Sequence, residues 1–163
     1  MENYIVIDGK RTELTDEQLQ KLGIEIKDDP FGKLKRNKFF YYISSSGQIH
    51  SQKEEYGTGS NRLFEAANYC TDENLMKQRA LHETLNRLLW RFSMQNDGDK
   101  IDWENYDQCK YKISYNCKHD CFCVNLDFAC KYQDQSFISK EVAERAIEEI
   151  VKPFMEKHPD FVW

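Results

Sequence analysis

The stretch that most constrains the fold runs over residues 68–98. Leu81, Leu85, Leu88, Leu89 and Phe92 recur there at spacings of three and four, the pattern of one apolar helix face. Thr71 is the expected N-cap, and Asp72 and Glu73 suit the positive end of the helix dipole. Asn96-Asp97-Gly98-Asp99 closes the segment. A helix this long should organise the fold around itself. A shorter version of the same plan returns over residues 136–159. Ser139 is its expected cap, and Val142, Ala143, Ala146, Ile147, Ile150, Val151 and Phe154 form its stripe. Glu141, Glu144, Arg145, Glu148 and Lys152 make the solvated side, and Pro153 should kink this helix or break it into a last turn.

Strand signals precede each helix. Residues 4–7 and 11–14 flank Asp8-Gly9, which reads as a tight hairpin. Thr15 and Gln18 have capping-box spacing, so a short helix should run through Lys21 and end at Gly23. Asp28 to Gly32 reads as a linker, because Pro30 and Gly32 interrupt any regular element. Phe39 to Ile43 is a strong strand by β-propensity, turned at residues 44–47 and paired with residues 48–52. Residues 56–60 read as a flexible loop. Residues 62–69 could be a third strand, although the Leu-Phe-Glu-Ala-Ala run also suits a helix. The second unit offers strands at 111–115, 121–126 and 128–132. Two strand–strand–helix units imply an α+β fold, with two amphipathic helices on one face of a largely antiparallel sheet. Residues 1–27 form a small N-terminal appendage and 33–163 the main domain, with a pseudo-repeat at 38–96 and 110–158.

Composition narrows the function classes. The 163 residues are 40% hydrophobic and 31% charged, with a net charge of −5. That is enough apolar content for a core, and the charge argues against a generally basic nucleic-acid coat. No leader or apolar span of membrane length is read, so the expectation is a cytoplasmic protein whose six cysteines stay reduced.

Few residues point to chemistry. Cys109, Cys117, Cys121, Cys123 and Cys130, with His119, are dense enough to suggest zinc, but no CxxC knuckle is present. Cys121 and Cys123 are expected to point to opposite faces of their strand, which favours small buried structural cysteines. Asp99, Asp102, Glu104 and Asp107 could hold magnesium, or simply form a solvated connection. Ser44, Ser45 and Ser46 make no nucleophile elbow, His50, His82, His119 and His158 show no metal-ligand pairing, and Gly57-Thr58-Gly59 lacks the lysine and following helix of a phosphate cradle. The chain therefore reads as a non-enzyme with no cofactor and no metal. Lys33, Lys35, Arg36 and Lys38 run into Phe39, Phe40, Tyr41 and Tyr42, so cations stand beside stacking surfaces. On the long helix, Arg79, Glu83, Arg87, Trp90 and Met94 lie opposite the leucine stripe, and Trp with Arg suits an interface.

Residues 7–24, 29–49, 68–98 and 137–161 together resemble a family of small, mostly uncharacterised proteins of bacteriophages, prophages and related mobile elements of Firmicutes. The marks of the resemblance are the aromatic strand Phe39 to Ile43, Gly47, and Asn68-Tyr69 at the helix entry. It implies a context, small accessory proteins that occlude host machinery such as CRISPR nucleases, and carries over no functional residue. Two expectations follow. One is a counter-defence (anti-CRISPR-like) inhibitor in the bacterial host cytoplasm, binding a host defence nuclease through Asp99, Asp102, Glu104 and Asp107 or through Arg79, Arg87 and Trp90. The other is a nucleic-acid-binding accessory protein using Lys33, Lys35, Arg36, Lys38 and Tyr41.

Overall fold

The computed structural model describes residues 4–7, 10–22, 29–131 and 135–163. The N-terminal hairpin pairs β1 (Tyr4–Ile7) with β2 (Lys10–Glu13), and α1 (Asp16–Lys21) follows. The capping box forms in both directions: Gln18 N–H donates to Thr15 Oγ1 at 3.3 Å, and Thr15 N–H to Gln18 Oε1 at 2.8 Å. The Asp8-Gly9 turn and the Gly23 stop lie outside the described residues.

The main body is α+β. Its first unit comprises β3 (Phe39–Ile43), β4 (Ile49–Lys53), α2 (Thr58–Glu65) and α3 (Glu73–Gln95). The second comprises β5 (Lys110–Asn116), β6 (Cys121–Asp127), α4 (Lys140–Ala146), a π-helical turn (Ile147–Val151) and α5 (Lys152–Lys157). The strands are antiparallel within each unit, but they form separate two-stranded hairpins instead of one continuous sheet.

Both units attach hairpin to helix in the same way. In the first, Tyr41 N–H donates to Cys70 O at 2.7 Å and Cys70 N–H returns to Tyr41 O at 3.0 Å. Two residues later Asp72 caps α3, its carboxylate accepting from the N–H groups of Asn74 (2.8 Å) and Leu75 (3.1 Å). The cap is thus Asp72, not Thr71. In the second unit Tyr111 and Phe137 exchange the same pair of bonds, and two residues later Ser139 caps α4 as expected. A single bridged residue takes the place of a third strand in each unit.

Two sequence readings are corrected here. Residues 58–65 are helical, so the loop at 56–60 is absent, the helix and not the strand is the reading of 62–69 that holds, and a helix does follow Gly57. A helical turn is what lets the Ser60 hydroxyl reach back to Glu54, while Cys70 already occupies the free edge of β3. Nor is there a strand over 128–131: the Asp127 carboxylate accepts from the N–H groups of Ala129 (3.2 Å) and Cys130 (3.0 Å) and turns the chain. Tyr132 lies outside the described residues.

Two apolar clusters meet on α3. Ile43, Cys70, Met76 and Ala80 form one, with Tyr41 and Ile49 against it. Leu85, Leu89 and Phe92 belong to the other, with Phe137, Ala143, Ala146, Val151, Phe154 and Phe161. At about 100° of turn per residue, these two sets lie on opposite sides of the helix. The N-terminal half of α3 therefore faces the first hairpin and its C-terminal half faces the second unit. Beyond Asn96, Asp97 takes a left-handed conformation (φ 63°) and the chain doubles back against α3. Gly98 is required there, since a Cβ would stand 2.3 Å from Ser93 Oγ. Pro153 acts as its chemistry demands: it lacks an N–H and crowds the carbonyl four residues back. The wider π turn ahead of it takes up the misfit, and the helix continues.

Candidate functional site

The acidic connection between α3 and β5 is built around a buried cation. Lys110, only 1% exposed, donates from Nζ to the carbonyls of Asn105 (2.8 Å), Gln108 (3.0 Å) and Phe128 (3.2 Å). The Trp103 ring lies 5.6 Å from the same ammonium, and Lys131 stands over that ring too. A buried charge is tolerable only when its donors are satisfied, and three carbonyls satisfy the three N–H groups. The loop winds round this point and ties itself with its own side chains. Asp102 Oδ1 accepts from Glu104 N–H at 2.9 Å, and Asn105 Oδ1 from Asp107 N–H at 2.9 Å. Gln108 reaches back to both Asp102 N–H (2.6 Å) and Lys100 O (3.2 Å). Asp99, Asp102, Glu104 and Asp107 are all exposed on this frame, with Tyr106 beside them at 67%.

The face of α3 opposite the leucines divides. Arg79 is committed to structure, paired with Glu83 at 2.9 Å and donating to the Ala67 carbonyl. Arg87 lies along the helix, 3.9 Å from Glu83 and 3.2 Å from Thr84 Oγ1, and its Nη2 closes over Gly47 at the tip of the first hairpin. Farther along this side Trp90 is 58% exposed, while Met94 is half-buried. Trp90 and the acidic loop therefore follow one another at the C-terminal end of α3.

The basic run is held by buried polar groups. Glu54 is fully buried and accepts from Ser60 Oγ (2.7 Å), Tyr56 N–H (2.6 Å) and Tyr69 OH (3.0 Å). Burial opposes its charge, but the bonds from Ser60, Tyr56 and Tyr69, with Lys33 nearby, hold its carboxyl below the ordinary value. Burial and Glu54 push the Tyr69 phenol up to about 12, against a bond from Leu34 N–H. Leu34 N–H donates to Tyr69 OH at 3.1 Å and Arg36 N–H to Tyr56 OH at 3.0 Å, so two tyrosines fix the backbone of the run. Lys33, Lys35 and Lys38 line one open cavity of about 610 Å³ together with Asp29, Gly32, Leu34 and Thr71. Lys33 is engaged there, bonded to Asn61 Oδ1 and lying 5.6 Å from the Phe64 ring.

Part of the aromatic surface expected beside the run is used up, while Phe39 stays 54% exposed. Phe40 is buried in a stack with Tyr69 (4.1 Å), Tyr41 is half-buried against the first cluster, and Lys53 covers Phe39 at 5.5 Å. Arg36 is exposed.

The cysteines correct the sequence reading. Of the six, only Cys70 is buried; Cys109 and Cys123 are half-buried, and Cys117, Cys121 and Cys130 are exposed. Cys121 and Cys123 point the same way, with their sulfurs 3.9 Å apart. Alternate residues of a strand share a face, so the expectation of opposite faces was misplaced. Among the described residues no group of three or more His, Cys, Asp or Glu is placed to hold a metal ion.

Glu54 and Lys110 escaped the sequence reading, and Asn68 entered it only as a mark of the resemblance, with no structural role. Asn68 works as a surrogate strand edge, accepting from Ile43 N–H at 2.8 Å and donating to Ile43 O at 2.7 Å. Its place just before a helix cap was the one available signal.

No family model matches the chain, and neither a curated protein nor a solved structure matches it. No helix among the described residues is long and apolar enough to cross a membrane.

Proposed function

We propose that this protein is a non-enzymatic, phage-derived interaction protein that docks on a basic surface of a host defence complex, such as a CRISPR nuclease, and blocks its access to nucleic acid. The observation supporting the reading is the acidic loop: four exposed carboxylates, Asp99, Asp102, Glu104 and Asp107, on a backbone tied to buried Lys110. A frame of this kind loses little freedom on binding, and complementary charge speeds encounter. Exposed Trp90, on the helix that leads into the loop, is the apolar anchor of the same surface.

The test is capture from bacterial host lysate, with and without nuclease treatment. A defence nuclease complex should be retained after treatment, and Asp102→Lys/Glu104→Lys should release it while a Lys35→Ala/Arg36→Ala variant holds it. Capture that survives the charge reversal unchanged would sink the acidic-loop mechanism. The second reading, a nucleic-acid-binding accessory protein, rests on three lysines that line one cavity. It requires a mobility shift that fades with salt and is lost in Lys35→Ala/Arg36→Ala.

A further inference from the structure

We propose that Cys121 and Cys123 form a two-thiol site for a soft monovalent cation of the Cu(I) class. Both lie on the face of β6 turned away from the apolar cluster, whose side of the hairpin is made by Tyr111, Ile113, Phe122 and Val124. Their sulfurs stand 3.9 Å apart, and Cys121 is exposed. A soft cation bound between them would release the proton of each thiol.

Three features of the surroundings select the ion. Thiolate is the soft donor that distinguishes Cu(I) from the hard cations. Zinc would use the same sulfurs but closes its structural sites with four ligands. No third His, Cys, Asp or Glu among the described residues joins this pair. The neighbouring oxygens are also engaged. Ser114 Oγ, cross-strand from Cys123, accepts from Asn125 at 2.7 Å, and the Asp120 carboxylate accepts from Tyr115 OH. What remains is a pair of sulfurs, which suits an ion content with two ligands.

Strand geometry separates this site from a disulfide. Two residues of extended chain span about 6.8 Å between Cα atoms, and side chains leave them nearly parallel. A disulfide needs its Cβ atoms within roughly 4.5 Å, which β6 cannot provide while it stays paired to β5. A metal bridge needs no such collapse, because the ion fills the gap between the sulfurs.

The experiment is an anaerobic titration of the fully reduced chain with Cu(I), in competition with the chromophoric chelator bicinchoninate. One Cu(I) should bind per chain, with tight binding lost in Cys121→Ser and in Cys123→Ser and kept in Cys117→Ser and Cys130→Ser. Circular dichroism of each variant checks that the fold is unchanged; both thiols sit outside the apolar clusters, so it should be. Zn(II) in place of Cu(I) should fail to protect the thiols from alkylation. Unchanged Cu(I) affinity in Cys121→Ser, half an ion per chain, or equally tight Zn(II) would each overturn the proposal.

Discussion

Tyr69 and Glu54 are joined by a proton that the phenol holds and the carboxylate does not readily take up. The phenol donates to a buried carboxylate, so ionising it would set two anions side by side in a dry site. Its pKa of about 12 against an ordinary 10.0 corresponds to roughly 2–3 kcal/mol of stability. The sign follows from which form the fold prefers. The neutral phenol is favoured in the folded state, so this contribution is complete below pH 10 and is lost as pH rises toward 12. Glu54 behaves oppositely. Its charged form is favoured, so its contribution is present above the ordinary carboxylate value of 4.5 and disappears as pH falls through its depressed pKa. Urea unfolding of Tyr69→Phe should give a lower plateau at pH 7 but a flatter decline between pH 10 and 12. Glu54→Gln should flatten the acid limb instead. Identical alkaline slopes for Tyr69→Phe and the native chain would show that the phenol is not the titrating group. Glu54 was not legible in the sequence, and Tyr69 stood out there only as a mark of the family resemblance. A glutamate at the end of a polar strand looks like any exposed glutamate until the Ser60 helix closes over it.

Elements were readable where their pattern was dense and misread where it was short. Thr15 with Gln18, the aromatic strand from Phe39, and Ser139 with its stripe carry their own local chemistry, and each appears where expected. The run at 62–66 has too few residues for its period to decide between strand and helix. The half of α3 that faces the first hairpin was invisible because Met76 and Ala80 are too sparse to mark a stripe. The acidic loop was legible as a loop, but its order was not, since Lys110 reads as an ordinary strand residue beside Cys109. Lys110→Met tests that order, filling the same space while leaving three carbonyls without a donor. The expected cost is about 2–4 kcal/mol. Amide hydrogen exchange should quicken at Glu104 and Asp107, whereas the middle of α3 stays protected relative to global unfolding. Exchange in the loop that matches the native chain would mean that its own Asx turns suffice. If the proposed docking mode holds, the same variant weakens capture without altering any surface carboxylate.

At the scale of the whole molecule, α3 makes the two units one cooperative system. Each unit alone has a two-stranded hairpin with one bridged residue, and such ribbons are marginal without a packed helix. The first unit's apolar cluster is completed by Met76 and Ala80, the second's by Leu85, Leu89 and Phe92, all from the same helix. Unfolding either cluster therefore exposes a side of α3 and removes support from the other. The three tryptophans, Trp90, Trp103 and Trp163, all fall in the C-terminal half of the chain, and Trp163 packs on Phe122 at 4.9 Å. Tryptophan fluorescence thus reports on the C-terminal part of α3, the acidic loop and the second unit, while far-ultraviolet dichroism reports on every helix. The two probes should give coincident urea transitions for the native chain. Met76→Ala and Leu89→Ala should each lower the midpoint of both probes together, by about 2–5 kcal/mol in stability. Met76 and Leu89 are roughly 20 Å apart along the helix and share no cluster, so the double variant should cost close to the sum. In Met76→Ala, dichroism falling well before fluorescence would mean that the first unit melts on its own. The helix would then be a tether between two independent halves, and the order of the acidic loop would owe nothing to the hairpin at the other end.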